Sequence, residues 1–277
     1  MSIIVGIDVG GSTTKIVGFD GERLLAPGLV KANDPIASVY GGFGKFTSDN
    51  KIALSDIEKI MVTGVGSSFL GDNIYGVEAV HVNEFRADGL GGLYLSQIDE
   101  AVVVSMGTGT AFVYANGATD EYTHLGGTGV GGGTLVGLAD KLLGIRTAQH
   151  VSDLALGGDI ANIDLLISDI TETDISPTLS NSATASNFGR VSDLASREDI
   201  ALGLINMVFE TIAMLAIFSA RMKNIKNIVL IGNLTVLPQA MEIFQKLEKM
   251  FGVNIIIPEN AAYGTVIGAA LEGKNNR

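Results

Sequence analysis

Two short glycine turns, each following an apolar segment, contain the residues best suited to bind an anion. In residues 6–15 an apolar segment ends near Asp8, Gly10 and Gly11 form the turn, and Lys15 follows. Glycine allows a tight bend that points backbone N–H groups at a phosphate, which a lysine can also reach. Asp8, at the end of an apolar strand, is suited to hold a hydrated Mg²⁺ ion. An ordinary hairpin with a surface aspartate is the alternative for this segment alone.

The second turn, residues 105–110, reads Ser-Met-Gly-Thr-Gly-Thr and repeats the arrangement of the first in the later part of the chain. Two glycine hairpins that face each other across a cleft would hold a polyphosphate between them. The pairing makes two unrelated structural hairpins the weaker interpretation. Neither turn is a Walker loop, because the G-x-x-x-x-G-K-[ST] pattern is absent and a strand is predicted after the first turn.

Two further glycine segments and one acidic residue complete the candidate site. Residues 126–134 include three consecutive glycines before an apolar helix, where a helix N-terminus favours an anion; a flexible linker is the alternative. An apolar strand ends at Gly232 and Asn233, and a turn follows at residues 263–265; such turns would suit a nucleoside pocket, although ordinary turns explain them equally well. Glu84 follows the apolar segment 79–82 and is placed to take a hydroxyl proton, although a solvated glutamate is the commoner case.

Charge and composition exclude several classes of protein. The formal net charge of −12 disfavours binding to nucleic acids and to anionic membrane surfaces. The chain has no cysteine, which excludes disulfides, thiol nucleophiles and cysteine-ligated metal clusters, and its histidines do not pair at metal-ligand spacing. The first residues lack the basic segment of a signal peptide, so we expect a cytoplasmic protein. Residues 202–220 are apolar but interrupted by Asn206 and Glu210, which predicts a buried helix and no membrane span.

The order of predicted elements indicates an α/β fold with an internal duplication. Strand, glycine turn, strand and Xaa-Gly turn occur in residues 2–21 and again in residues 101–117. We predict two lobes, residues 1–98 and 99–277, with the seam near residues 96–100. Other predicted elements are a third strand at 23–31, a weak helix at 37–46, a short helix at 55–60, helices at 84–95 and 134–143, and a long loop at 164–186.

These segments, in this order, resemble the actin, sugar kinase and Hsp70 superfamily, whose ATPase fold is two-lobed and ribonuclease H-like. Residues 6–15 resemble its phosphate-1 motif, residues 105–110 its phosphate-2 motif, and residues 230–233 its adenosine motif. A closer resemblance is to the type II pantothenate kinases. Residues 82–92 are similar to their catalytic-glutamate segment, and Ala-Ser-Asn-Phe-Gly at 185–189 matches a short family motif.

The resemblance implies transfer of a phosphoryl group from MgATP to the 4′-hydroxyl of pantothenate, the first step of coenzyme A biosynthesis, by a homodimer. Glu84 would be the catalytic general base, Asp8 would hold Mg²⁺ through water, and His124 and Asn187 would lie at the substrate. The residues implied to form the ATP site are Asp8, Gly10, Gly11, Ser12, Thr13, Thr14, Lys15, Thr108, Gly132, Gly133, Thr134, Leu135, Val136 and Asn233.

His124 departs from the family pattern, which has an arginine just before the glycine run. A neutral imidazole cannot make the bidentate, permanently cationic contact of an arginine, so the identity of the acceptor alcohol stays open. A kinase for another alcohol, such as pantetheine or a sugar, and a non-catalytic ATP-binding sensor are the alternatives. An activator ATPase of 2-hydroxyacyl-CoA dehydratases shares the fold but needs cysteines for its cluster, which this chain lacks.

Overall fold

The structure, a computed structural model, describes residues 2–31, 34–171 and 181–275. Its strands are β1 (Ile3–Val9), β2 (Thr14–Asp20), β3 (Arg23–Leu24), β4 (Gly28–Val30), β5 (Ile57–Thr63), β6 (Asn73–Ile74), β7 (Val77–His81), β8 (Glu100–Met106), β9 (Thr110–Asn116), β10 (Glu121–Thr128), β11 (Leu165–Leu166), β12 (Thr184–Ser186), β13 (Asn227–Ile231) and β14 (Asn254–Ile256). Its α-helices are α1 (Pro35–Asn50), α2 (Glu84–Ser96), α3 (Gly132–Leu143), α4 (Ala148–Ala155), α5 (Arg197–Met222), α6 (Pro238–Phe251) and α7 (Gly264–Asn275). Strands and helices follow the opening hairpin in mixed order, which confirms the predicted α/β class.

Two sheets with the same strand arrangement carry the two glycine turns. The first has the order β3-β2-β1-β5-β7-β6, with β4 also beside β2. The second has the order β10-β9-β8-β13-β14. In each, an antiparallel hairpin, β1–β2 or β8–β9, continues into parallel strands, β5 and β7 or β13 and β14. The duplication predicted from the sequence is therefore present in the strand topology.

Helices bury the apolar faces of both sheets. The helix α1 packs through Phe43 and Phe46 on the first sheet. A larger core lies between the second sheet and the helices α3, α4, α5 and α6. Within it α5 buries Ile205, Phe209 and Ile212 completely, as predicted for this apolar segment. The same helix is long and apolar enough to cross a membrane, but 61% of its apolar window is buried in protein, as in a core helix.

The helices α2 and α7 cross each other closely between the two sheets. A Cβ atom added at Gly91 would lie 1.8 Å from the carbonyl oxygen of Gly264, and one added at Gly268 would lie 1.8 Å from that of Ala87. Only glycine permits this backbone approach. The helix α7 also packs on β1 and β2 of the first sheet through Val266 and other apolar residues. The boundary at residues 98–99 stays a prediction.

Several predicted elements differ from the observed ones. The short helix predicted at 55–60 is wrong: a single 3₁₀ turn, Leu54–Asp56, leads into β5, because Ile57 and Ile60 are buried as strand residues. The predicted third strand is divided into β3 and β4, both paired with β2. The predicted loop at 164–186 contains the hairpin β11–β12, and its residues 172–180 lie outside the described ranges.

The glycine run differs as well, because its first three residues belong to β10. Gly126 has a φ of 147°, and the pairing of β10 with β9 shifts register between His124 and Gly126. This irregularity lets a glycine-rich segment remain in the sheet and leaves only residues 129–131 as a connection to α3.

Candidate functional site

One cleft, with a volume of about 390 Å³, collects most of the predicted site residues. It is bordered by the two glycine turns, by the first residues of α2, and by the ends of β10 and β13. The predicted residues that line it are Asp8, Gly10, Gly11, Ser12, Thr13, Lys15, Glu84, Thr108, His124 and Asn233. Residues separated by more than two hundred positions in the sequence thus meet at a single site.

The two glycine turns face each other across this cleft. A Cβ atom added at Gly11 would lie 3.5 Å from the hydroxyl oxygen of Thr108, at ordinary contact distance. The side-chain amide of Asn233 donates a hydrogen bond of 3.4 Å to the hydroxyl of Thr13, which links the end of β13 to the first turn. Backbone bonds close both turns, from Gly10 N to the carbonyl of Thr13 at 3.0 Å and from Gly107 N to that of Gly109 at 2.9 Å.

The N-terminus of α3 supports the second turn from behind. The N–H of Gly132 donates to the carbonyl of Gly107 at 2.9 Å, and that of Gly133 to the carbonyl of Thr108 at 2.8 Å. The helix N–H groups at these two residues are therefore occupied within the protein. Gly132 and Gly133, predicted as direct ATP contacts, do not line the cleft; the structure gives them the role of shaping the turn that does.

Four other predicted residues also lie outside the cleft lining. Leu135 is fully buried in the core of the second sheet, and Val136 beside it is half-buried. The hydroxyl of Thr134 donates to the carbonyl of Gly129 at 2.8 Å, and so fixes the entry to α3. Thr14 alternates with Lys15 along β2, so its side chain points to the opposite face, where it shares a hydrogen bond of 2.7 Å with Ser38.

Asn187, predicted at the substrate, is engaged elsewhere in the fold and does not line the cleft. Its amide donates to Glu210 of α5 at 3.0 Å and to Asp164 at 3.3 Å. Asp164 is fully buried and also accepts from the backbone N–H of Phe188 at 2.8 Å. The family-like segment 185–189 is therefore tied to the core helix α5 by buried polar contacts.

Asp8 and Lys15 face each other on the floor of the cleft. They are paired across the antiparallel strands β1 and β2. Burial raises the pKa of Asp8 to about 6, although Lys15 opposes the shift and Glu84 adds to it. Burial lowers the pKa of Lys15, against the attraction of Asp8 and Asp88. The ammonium of Lys15 donates to the carbonyl of Ala262 at 2.5 Å, so it is already aimed across the cleft floor.

Glu84 is the first residue of α2, and its position is fixed by the helix cap. The side chain of Asn83 accepts hydrogen bonds from the N–H groups of Phe85 and Arg86, at 3.0 and 3.2 Å. Burial raises the pKa of Glu84 above its usual range. A half-buried carboxylate that opens on a cleft and holds its proton more tightly than usual is suited to accept a proton from an alcohol.

An aromatic pair forms the wall beside Glu84. The ring of Phe85 stacks on the imidazole of His124, with centroids 3.9 Å apart and planes inclined by 12°. His124 is exposed on β10, next to its irregular register. The residue after the candidate base therefore contributes to a flat surface, in which a phenyl ring is apolar and an imidazole can form hydrogen bonds.

The sequence did not indicate every residue of the site. Phe85 lines the cleft beside Glu84, and the buried Asp88 lies close enough to influence the pKa of Lys15. Asp88 had one usable signal, since it is a carboxylate four residues after Glu84 on a glycine-rich helix. Ser105, from the second glycine turn, and Thr265, from the turn predicted beside the nucleoside, also line the cleft, but the contact of Thr265 with Asp88 had no signal in the sequence.

The described residues contain no cluster of three or more histidine, aspartate or glutamate side chains that would chelate a metal. The carboxylate of Asp8 makes no hydrogen bond to another described residue, so its oxygens are free to hold a hydrated cation. This donor set fits a Mg²⁺ ion that is bound mainly by water and substrate phosphates.

Several known proteins are similar to this chain in sequence. The Fumble family model matches residues 96–251, more than half of the chain. A type II pantothenate kinase of Bacillus cereus (strain G9842) is 32% identical over 249 residues, covering 84% of each chain. One of Staphylococcus aureus (strain MRSA252) is 31% identical over 285 residues, covering 98% of this chain and 99% of the relative.

Solved structures with the same fold are more distant in sequence. The activator of the 2-hydroxyisocaproyl-CoA dehydratase from Clostridium difficile, with bound ADPNP, has a TM-score of 0.68 at 17% identity and covers 99% of this chain and 98% of its own. The ROK hexokinase of Thermus thermophilus has a TM-score of 0.56 at 13% identity and covers 97% of each chain. They confirm the actin-like ATPase fold, and the curated relatives show that the chain belongs to the type II pantothenate kinase family of enzymes.

Proposed function

We propose that this kinase transfers the γ-phosphoryl group of MgATP to the 4′-hydroxyl of pantothenate, which yields 4′-phosphopantothenate for coenzyme A biosynthesis. One observation carries the proposal: the two glycine turns face each other across a cleft that also holds Asp8, Lys15 and Glu84. The curated relatives named type II pantothenate kinase support this acceptor.

The ATP phosphates are assigned to the space between the turns. Backbone N–H groups near Gly11 and Thr108 would contact them from opposite sides, and Lys15 would reach them from the floor. A chain of net charge −12 needs such local positive groups to hold a polyphosphate. Asp8 would hold Mg²⁺ through water, and the ion supplies neutralisation of the phosphate charge.

The acceptor alcohol is assigned to the Glu84 end of the cleft. Phosphoryl transfer depends mostly on positioning and electrostatics, so the base has to hold the hydroxyl in line with the γ-phosphate. Glu84 accepts the hydroxyl proton as the oxygen attacks. Phe85 and His124 would then contact the rest of the acceptor, with the exposed imidazole available to its polar end.

Steady-state kinetics of Glu84→Gln tests this assignment. The unmodified protein should phosphorylate pantothenate in preference to pantetheine and to a panel of sugars. Because a general base contributes about 10²–10⁴-fold to a rate, Glu84→Gln should lower kcat by a factor in that range. Its affinity for MgATP, measured by calorimetry, should stay unchanged, because the phosphates contact the turns and not Glu84.

Glu78→Gln is the matched control, since Glu78 is an exposed glutamate on β7, the strand that precedes α2. It should keep full activity. Preferred turnover of pantetheine or a sugar would keep the kinase and overturn the pantothenate assignment. MgATP binding without transfer to any of these alcohols would instead support an ATP-binding sensor.

The dimer and the compartment also belong to this proposal. The exposed apolar residues Leu215, Phe218 and Met222 at the end of α5 are a suitable subunit contact for the homodimer expected from the family resemblance. Sedimentation analysis would reveal a particle of twice the 28.8 kDa chain mass. A cytoplasmic location is expected, as for an enzyme that uses ATP.

A further inference from the structure

Asp88 is a buried carboxyl group that the mechanism described so far does not use. It lies on α2, one helical turn after Glu84, and only 1% of it is exposed. Its Oδ1 accepts a hydrogen bond of 2.6 Å from the hydroxyl of Thr265, the second residue of α7. Its Oδ2 is buried and meets no donor with hydrogen-bond geometry within the described ranges.

A carboxyl group in such a place is costly to the fold. Burying an ionisable group with one oxygen unpaired costs free energy, and isolated cases in folded proteins call for a reason. Burial raises the pKa of Asp88 to about 8, the hydroxyls of Thr265 and Ser105 oppose the shift, and Glu84 and Asp8 add to it. The group is therefore coupled to both carboxylates of the cleft.

The surroundings of Asp88 connect three parts of the cleft. Thr265 and Ser105 both line it, Ser105 just before the second glycine turn. Burial lowers the pKa of Lys15, and the charge of Asp88 opposes this larger effect by raising it. Asp88 thus lies where β2, β8 and α7 converge beneath the reacting groups.

The hydrogen bond between Asp88 and Thr265 links α2 to α7, and the close crossing of these helices connects it to the position of Glu84. Gly91 and Gly268 bring the two helix backbones together one turn further along. Within the first turn itself, Arg86 forms ion pairs with Glu272 of α7, at 2.8 Å, and with Asp120, at 3.0 Å. Between Arg86 and Gly91, the Asp88–Thr265 bond joins α2 to a residue of α7 that lines the cleft, one helical turn after Glu84.

We propose that Asp88, held by Thr265, is a positioning residue of the phosphoryl-transfer site that fixes the first turn of α2 and thereby orients Glu84 toward the acceptor hydroxyl. The inference rests on the proposed role of Glu84 as the base. It assigns to Asp88 and Thr265 a function that acts through Glu84 and not through contact with ATP.

Thr265→Val and Asp88→Leu test the inference. The first removes the hydroxyl donor at constant shape, and the second removes the acceptor oxygens while nearly keeping the side chain's size. Each should lower kcat for phosphoryl transfer about tenfold, while the calorimetric affinity for MgATP stays within about threefold; these sizes correspond to about 1.4 and 0.7 kcal/mol. Thr265→Ser keeps the hydroxyl and should restore most of the turnover lost in Thr265→Val.

Asp49→Leu is the matched control, because Asp49 is an exposed aspartate of α1 whose ion pair within the described residues is with Lys45. It should leave kcat unchanged. Urea unfolding of every variant establishes that the folded protein is assayed, and the valine and serine variants of Thr265 serve if Asp88→Leu does not fold.

Double variants separate positioning from a general structural role. If Asp88 acts through Glu84, then Glu84→Gln combined with Thr265→Val or with Asp88→Leu should be no slower than Glu84→Gln alone. Multiplying losses would overturn the inference, and so would full turnover in both single variants. If Glu84→Gln itself kept full turnover, the proposed base would fail first, which distinguishes the two failures.

Discussion

Replacing Gly91 by alanine tests how closely α2 and α7 cross. An added Cβ would lie 1.8 Å from the carbonyl oxygen of Gly264, whereas ordinary contact begins at 3.4 Å, so the helices would have to separate by 1.6 Å (3.4 − 1.8) at this point. Overpacking of this kind costs about 1–3 kcal/mol, and alanine regains about 0.5–1 kcal/mol of helix propensity. Because the clash is with backbone and far inside contact distance, its cost lies at the upper end of that range, and we expect Gly91→Ala to lower the free energy of unfolding by about 2 kcal/mol (3 − 1).

Gly44→Ala is the control for this variant. Gly44 lies in the middle of α1 and is exposed, with no heavy atom within 4 Å of an added Cβ. This substitution should raise the free energy of unfolding by about 0.5–1 kcal/mol, because only the propensity gain remains. Urea unfolding measures both variants. Gly91→Ala should also lose kcat, since a displaced α2 carries Glu84 with it, and equal stabilisation by both substitutions would refute the close crossing.

Three other substitutions probe the cleft itself. Asp8→Asn should abolish most Mg²⁺-dependent turnover yet stabilise the fold at pH 7. The folded state raises the pKa of Asp8 from 3.8 to about 6, so the free energy of unfolding falls as pH rises through this interval. The stabilisation by Asp8→Asn should therefore vanish when urea unfolding is measured at pH 4. The double variant Gly11→Cys, Thr108→Cys should form a disulfide on oxidation, because the two positions face each other across the cleft. The chain has no other cysteine, so a change of gel mobility reports this bond alone, and failure to cross-link would contradict the facing turns. His124→Arg should change the KM for pantothenate more than the affinity for MgATP, and the reverse pattern in steady-state kinetics would remove His124 from the acceptor end.

The predicted residues that the structure brings into the cleft share one property: their signals in the sequence are local. Each glycine turn lies directly between two apolar strands, and Glu84 follows a strand and begins a helix after Asn83. Such patterns specify a backbone conformation within about ten residues, which is the range over which sequence periodicity is informative. The duplication then predicts that the two turns occupy equivalent places.

The parts that the sequence did not predict depend on contacts between distant segments. Asp88 and Thr265 are 177 residues apart, and no local pattern connects them. The role predicted for the glycine run also differs from the observed one because of a contact between distant segments. Gly132 and Gly133 resemble phosphate contacts in sequence, but their N–H groups donate to the second turn across the fold. Thr14 was predicted to line the ATP site together with its neighbours, but the alternation of side chains along β2 puts it on the other face of the strand.

The glycines of α2 explain why the helix that carries the candidate base depends on the rest of the fold. Gly89, Gly91 and Gly92 each cost a helix about 0.5–1 kcal/mol relative to alanine, so the isolated segment has poor helix propensity. A Cβ at these positions would lie 2.4 Å from Tyr122, 1.8 Å from Gly264 and 2.6 Å from Val103, respectively. The helix is therefore stable only when it is docked against both β8–β10 and α7. Since those are also the elements that carry the second glycine turn and Thr265, Glu84 reaches its position only in a chain whose two sheets are already assembled around the cleft.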